Sequence, residues 1–123
     1  MIKYDLNNRV AVVTGGAQGF GFAITERFIQ AGAKVIIWDI EEKAAKEAVE
    51  KIKSENVSYQ IVDVTNFEIV NKNLNVVAEN FGKVDIFINN AGIAGMNTTV
   101  ADYPLDEWKK VMNLNLNSVF YCC

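Results

Sequence analysis

The chain is 123 residues long and half of it is apolar, which allows one domain with a hydrophobic core and no second domain. Twelve basic residues against fifteen acidic ones give a net charge of −3 without any basic block, so nucleic acid is not an expected partner. No apolar run is as long as a membrane span, there is no histidine, and the two cysteines are adjacent, so we predict a cytoplasmic protein with no membrane contact, no metal site and no histidine base.

The first predicted strand leads into a glycine-rich loop. An apolar, β-branched run from Val10 predicts a buried strand, and an amphipathic pattern that ends near Ile29 predicts a helix that begins at the last glycine. Gly15 would let the chain turn sharply, Gly19 would let the backbone approach a pyrophosphate, and Gly21 would let the helix pack closely on the strand. The free N–H groups of the helix start favour a dinucleotide. Because the glycine spacing differs from Gly-x-Gly-x-x-Gly, a turn without a ligand is the alternative.

The second predicted strand runs from Lys34 to Trp38 and ends at an acidic residue, Asp39. Asp39 lies about 20 residues beyond the glycine loop, where a carboxylate binds the ribose hydroxyls of NAD. It would also repel the 2′-phosphate of NADP, so the sequence predicts NAD as the cofactor. The alternative is an acid that favours the dipole of the next helix, and the two interpretations are compatible.

A helix and a strand follow, and then a third helix. The helix is predicted over residues 41–54 from apolar residues on one face, and the strand is predicted over 57–62. Thr65 and Glu68 form a capping-box pattern for the third helix, which Gly82 would end.

The fourth predicted strand, residues 84–88, opens into Asn89 and Asn90, whose amides could satisfy backbone groups at the end of a buried strand. Gly92 permits close backbone approach, and residues 93–102 are predicted to form a loop. Four strands that alternate with helices predict a parallel sheet with helices on both faces. Ligands bind such sheets at the carboxyl ends of the strands.

The last predicted helix begins near Pro104. Its pattern predicts an apolar stripe formed by Trp108, Val111, Met112, Leu116, Val119 and Phe120. Asn115 interrupts this stripe, and from the pattern alone it could be a satisfied core amide, an interface residue or a functional residue.

Taken together, these motifs resemble the short-chain dehydrogenase/reductase family. The residues that carry the resemblance are Thr14-Gly15-Gly16-Ala17-Gln18-Gly19-Phe20-Gly21, Asp39, Asp63-Val64, Asn89-Asn90-Ala91-Gly92, and Trp108 with Asn115 seven residues later. The resemblance spans nearly the whole chain and implies a Rossmann-type doubly wound α/β fold with a parallel sheet.

The resemblance also implies a role for each matching residue. The pyrophosphate would be met by Gly15, Gln18, Gly19, Phe20 and Gly21. Asp39 would hold the adenosine ribose, and the adenine would lie against Asp63 and Val64. The nicotinamide-side ribose would be met by Asn90, Ala91 and Gly92, and Asn115 resembles the active-site asparagine that helps to hold a water in the proton relay.

The chain departs from the family at three points. Phe20 stands where isoleucine is usual, and Phe22 adds bulk beside it. The third departure concerns the chemistry, because the family uses a tyrosine with a lysine four residues later to exchange a proton with the substrate, and no Tyr-x-x-x-Lys occurs here. Since family members are longer, residues 1–123 are expected to be an incomplete, N-terminal NAD(P)-binding half, truncated after about four strands and the following helix.

The function that the resemblance implies is an NAD-dependent oxidoreductase that interconverts a small alcohol and a ketone. Weaker likenesses at residues 93–95, 102–105 and 120–122 point to the oxoacyl-carrier-protein reductase and sugar or polyol dehydrogenase branches. A homo-oligomer formed through the last helix is expected, because its apolar stripe needs a cover. The alternative is a non-catalytic nucleotide-binding or dimer-forming remnant of such an enzyme.

Overall fold

The computed structural model describes residues 2–123 and confirms the α/β fold with a parallel sheet. The strands are β1 (Val10–Thr14), β2 (Lys34–Asp39), β3 (Val57–Ile61) and β4 (Ile86–Ile88). The helices are α1 (Gly19–Gln30), α2 (Glu42–Ile52), α3 (Phe67–Phe81), α4 (Leu105–Met112) and α5 (Ser118–Cys122), with a 3-10 turn at Val100–Asp102 and a π-helical segment at Asn113–Asn117. The sheet order is β3-β2-β1-β4, and every pair is parallel.

The two central strands are buried on both faces. All of β1 is buried, and in β2 only the terminal residues Lys34 and Asp39 are accessible. On one face, Val12 and Trp38 pack with residues of α3 and of the last helix. On the other face, the core includes residues of α1 and α2. The continuously apolar strands therefore end at the same edge of a covered sheet, which is where ligands bind in open α/β folds.

Two element starts differ by two residues from the sequence-based expectation. Helix α1 begins at Gly19, two residues before the last glycine of the loop. Strand β4 begins at Ile86 rather than at residue 84. The reason for the second difference is Asp85, whose carboxylate accepts the backbone N–H of Val10 at 2.8 Å and lies 3.1 Å from the Lys83 ammonium. These contacts hold the pKa of Asp85 below its usual value, first through the Val10 N–H and then through Lys83.

The capping-box prediction for α3 is wrong. The N-cap is Asn66, and its side chain accepts the N–H of Ile69 at 3.2 Å. Thr65 is held instead by Asp63, whose carboxylate accepts both its N–H (3.0 Å) and its hydroxyl (2.6 Å). This Asp63 turn keeps Thr65 outside the helix, so the next polar residue takes the cap. Gly82 ends α3 in the left-handed conformation, as predicted.

The last helix is continuous but changes its winding at the π-helical segment. Its buried side lies along Leu114, Ser118 and Cys122, of which Leu114 and Cys122 pack on the core. Three residues of the predicted stripe, Leu116, Trp108 and Phe120, are exposed, with Phe120 at 79%. In the part of the chain that the structure describes, no helix is both long enough and apolar enough to cross a membrane.

Candidate functional site

A cleft of about 580 Å³ lies at the carboxyl ends of the strands. Nine of the eleven predicted cofactor-binding residues line it: Gly15, Gln18, Gly19, Asp39, Asp63, Val64, Asn90, Ala91 and Gly92. These residues come from four separate loops, so the sheet topology brings together what the sequence keeps far apart. The cleft is large enough to hold part of a dinucleotide.

The glycine loop forms one wall of this cleft. The Gly15 N–H donates to the carbonyl of Trp38 at 2.7 Å, and Gly15 has a φ of +63°, as the predicted sharp turn requires. No side chain caps the first turn of α1, and this turn carries no acidic residue. A Cβ built on Gly19 would meet no atom within 4 Å. Open space in front of an uncapped helix start suits a phosphate group.

The other two predicted loop residues lie outside the cleft lining. Gly21 is buried, and a Cβ built on it would lie 2.1 Å from the Gly15 carbonyl oxygen. This lack of space explains why the position needs glycine, and it agrees with the predicted close packing. The side chain of Phe20 is 84% exposed, so this residue could face a phosphate only through its backbone.

Thr14 joins the ends of β1 and β4, a role that sequence reasoning missed. Its hydroxyl donates to the Ile88 carbonyl at 3.2 Å and accepts the N–H groups of Asn90 and Ala91, each at 3.0 Å. The Asn90 amide then donates to the Gly15 carbonyl at 3.2 Å. The sequence feature that could have indicated this role is a hydroxyl residue at the end of a buried apolar strand. Thr14 therefore fixes the glycine loop relative to the loop that follows β4.

Asp39 ends β2 beside the glycine loop. Its carboxylate accepts the N–H of Ala17 at 3.3 Å and the N–H of Glu41 at 3.1 Å. Glu41 is itself the N-cap of α2, so Asp39 holds the turn before the helix rather than capping it. The carboxylate is thus oriented by two backbone groups while it lines the cleft.

Trp38 and Asp63 form the adjoining part of the cleft. Trp38 is fully buried, its indole N–H donates to the Gln60 side chain at 2.8 Å, and its ring packs edge-on against Phe87. Asp63 is oriented by Thr65, as described above, and Val64 follows it with its side chain buried. Trp38 and Val64 therefore give this part of the cleft an apolar lining.

Asn115 is exposed and does not line the cleft. Its side-chain oxygen accepts the N–H of Ile93 at 2.9 Å, and its amide donates to the Ile93 carbonyl at 2.8 Å. The residue is part of the π-helical segment, a type of winding that is frequent at functional sites. Asn115 therefore fixes the loop that follows Gly92. It also limits the space at Gly92, because a Cβ built on Gly92 would lie 3.1 Å from the side-chain oxygen of Asn115.

Three residues of the last helix also line the cleft and were not predicted, Lys110, Asn113 and Leu114. Asn113 and Leu114 lie three and four residues after Lys110, and this helical spacing could have identified the three residues as one face.

Two other reactive groups, Tyr103 and Cys122, do not line the cleft. The Tyr103 hydroxyl accepts the Met96 N–H at 2.8 Å, and burial raises the pKa of the Cys122 thiol to about 11. Across residues 2–123, no three acidic or cysteine side chains converge as metal ligands would.

Comparisons with known proteins identify the family of this chain. The family model for short chain dehydrogenases matches residues 9–123. The 3alpha-hydroxysteroid dehydrogenase of Mediterraneibacter gnavus is 37% identical over 121 residues, which are 95% of this chain and 48% of that protein. A "Probable NADP-dependent mannitol dehydrogenase" of Yarrowia lipolytica is 39% identical over 126 residues, covering 99% and 45% of the two chains.

A solved structure is similar over the same region. The 3-ketoacyl-(acyl-carrier-protein) reductase of Brucella melitensis, complexed with NADH, superposes with a TM-score of 0.91 at 29% identity. The match covers 96% of this chain and 48% of that one. The chain thus spans about half the length of the relatives that it matches.

Proposed function

This chain belongs to the short-chain dehydrogenase family, and we propose on that premise that it binds NAD(H) in the cleft and serves an oxidoreductase that interconverts an alcohol and a ketone. Residues 1–123 would be the cofactor-binding half of the Rossmann domain. The observation that carries this proposal is the carboxylate of Asp39, which stands at the end of β2 and is bonded to the glycine loop across from it. A cytoplasmic location remains a prediction.

A dinucleotide would contact these residues in the order that the family resemblance implies. The pyrophosphate would lie at the uncapped start of α1, against Gly15, Gln18 and Gly19, with the backbone of Phe20 and Gly21 behind them. Asp39 would accept the ribose hydroxyls. The adenine would lie against Asp63 and Val64, and the nicotinamide-side ribose would lie against Asn90, Ala91 and Gly92. When bound, NAD supplies the hydride acceptor of the reaction.

The preference for NAD over NADP rests on charge. Asp39 and Glu41 both line the cleft beside the glycine loop, and residues 16–22 contain no lysine or arginine. A 2′-phosphate would therefore meet two carboxylates and no cation of the glycine loop. The NADP dependence in the name of the Yarrowia lipolytica relative belongs to that protein, and this charge pattern is the reason to propose the opposite preference here.

Asp39→Ala is expected to weaken NADH binding by about 1 to 3 kcal/mol, the cost of losing hydrogen bonds to a charged group. NADPH binding should change little or improve, because a repulsive charge is removed. Titration of both cofactors into the variant and into Glu42→Ala, which removes an exposed carboxylate of α2, would measure this. Tighter binding of NADPH than of NADH by the unaltered chain, or an unchanged preference in Asp39→Ala, would contradict the proposal.

Asn115 is proposed as the residue that helps to hold a water in the proton relay. Its side chain already makes two hydrogen bonds with the backbone of Ile93. Its contact with a water would therefore use the hydrogen-bonding capacity that remains after those two bonds. On this proposal Asn115 acts as a positioning residue for the loop after Gly92 and as a support for the water.

One sequence feature favours the second candidate function, a nucleotide-binding or dimer-forming remnant without activity. No tyrosine in the chain is followed four residues later by a lysine. The measured mass of the purified protein, compared with the downstream reading frame of its gene, separates the two candidates. A longer product that carries a tyrosine and lysine pair would favour the enzyme, and a product of this length would favour the remnant.

The exposed stripe of the last helix supports the proposed homo-oligomer. Phe120→Asp should raise the dimer dissociation constant at least about 10-fold, because a charge would have to be buried in an apolar contact. Ile2→Asp is the matched control, since Ile2 is 75% exposed and lies in the segment whose Leu6 packs on the other face of the sheet. Sedimentation velocity measures both variants. A stable monomer at micromolar concentrations of the unaltered chain would contradict the proposal.

A further inference from the structure

Lys110 faces the cofactor cleft, although it belongs to none of the motifs that carry the family resemblance. It lies in the last turn of α4 and lines the same cavity as Asp39 and Asp63. Asn113 and Leu114, three and four residues later, line this cavity too. Residues at this spacing share one face of a helix. Lys110 is therefore part of a wall of the cleft.

The charges of the cleft make this position significant. Three carboxylate residues line the cavity, Asp39, Glu41 and Asp63. Within the described part of the chain, Lys110 is the only lysine or arginine that lines it. A dinucleotide carries two negative charges on its pyrophosphate, so it enters a cleft whose own side chains are mostly of the same sign. A cation on the wall offsets part of that repulsion.

The charge of Lys110 is not taken up by a neighbouring carboxylate. Among residues 2–123, ion pairs are formed by Arg9 and Lys83, both with Asp85 at the opposite edge of the sheet. Lys110 is an exposed residue, and its flexible side chain lets the ammonium group move toward a bound anion.

We infer that Lys110 raises the affinity of the cleft for the dinucleotide. Its positive charge would attract the pyrophosphate into a cleft that is lined by three carboxylates. This inference rests on the proposed function, since it concerns the same cleft. It assigns to the last helix a part in binding the cofactor, in addition to its part in the proposed oligomer.

The test compares Lys110→Gln with Lys109→Gln. Both variants lose one positive charge, but Lys109 does not line the cleft. NADH is titrated at low and at high salt, with tryptophan fluorescence as the readout, because Trp38 lies on the cleft wall. We expect Lys110→Gln to raise the dissociation constant about 3- to 10-fold at low salt. The difference should shrink at high salt, where exposed charges are screened. Lys110→Arg should bind like the unaltered chain, and circular dichroism checks the fold of each variant.

The outcomes separate this inference from the proposed function. Equal NADH affinity of Lys110→Gln and Lys109→Gln, with the unaltered chain still binding NADH, would overturn the inference alone. A loss in Lys110→Gln that does not depend on salt would also overturn it, because a packing effect would not be screened. If the unaltered chain does not bind NADH at all, the proposed cofactor site fails and this inference fails with it.

Discussion

Gly21→Ala is expected to abolish measurable NADH binding and to destabilise the fold by about 3 kcal/mol, the upper end of the usual cost of overpacking. The added Cβ would lie 2.1 Å from the Gly15 carbonyl oxygen and 2.6 Å from the Asn90 amide nitrogen. Gly15 and Asn90 are themselves hydrogen-bonded to each other at 3.2 Å. The new methyl group would therefore push the glycine loop away from the loop that follows β4, and both loops line the cleft.

Gly82→Ala is the matched control for this variant. Gly82 caps α3 with a φ of +79°, and a Cβ built there would meet no atom within 4 Å. The Gly82→Ala variant should lose about 1 to 2 kcal/mol of folding stability, because alanine disfavours the left-handed backbone. Its affinity for NADH should be unchanged. Calorimetry and NADH titration of both variants measure the two effects. A Gly21→Ala protein that binds NADH as tightly as the unaltered chain would show that the loop relaxes without harm to the site.

The fold was predictable because its strands are strongly patterned. Residues such as Val12 and Ile36 form continuously apolar runs, and such runs occur where both faces of a parallel strand are covered. The glycine loop and the acidic residue at the end of β2 were predictable for a different reason. Their roles depend on backbone space and on the position of strand ends, and both leave a trace in sequence spacing. The position of Asp39 in the cleft could therefore be predicted from the sequence.

The remaining features depend on contacts between distant segments. The role of Thr14 comes from its bonds to residues 88–91, more than seventy positions away in the chain. The N-cap of α3 was decided by a competing turn at Asp63. The sequence of residues 113–117 has no clear pattern that predicts π-helical winding. In this segment, Asn115 accepts a hydrogen bond from the N–H of Ile93. The sequence pattern predicts that Lys110 is a surface charge. Its place in the cleft wall depends on the tertiary fold.

A polypeptide of these 123 residues is expected to show no dehydrogenase turnover, even where it binds NADH. Hydride transfer leaves or consumes a negative charge on the substrate oxygen, so a proton must be exchanged at that atom. Loss of a positioned acid or base costs about 10²- to 10⁴-fold in rate. Asn115 cannot replace that group, because an amide does not titrate near neutral pH and its side chain is bonded to Ile93. Two other groups that can carry a proton are Tyr103 and Cys122, and neither lines the cleft. The hydroxyl of Tyr103 accepts the Met96 N–H, and burial raises the pKa of the Cys122 thiol to about 11.

The measurement follows NADH absorbance with a panel of alcohols and ketones, after longer species have been removed from the sample. A short-chain dehydrogenase that has the tyrosine and lysine pair serves as the positive control. Strand β4 lies at an edge of the sheet, and its residues 86–88 are apolar. An unpaired apolar edge favours aggregation, so the soluble fraction must be sized before the assay. Reproducible turnover that disappears in Asn115→Ala or in Asp39→Ala would place the catalytic centre within this chain and overturn the prediction.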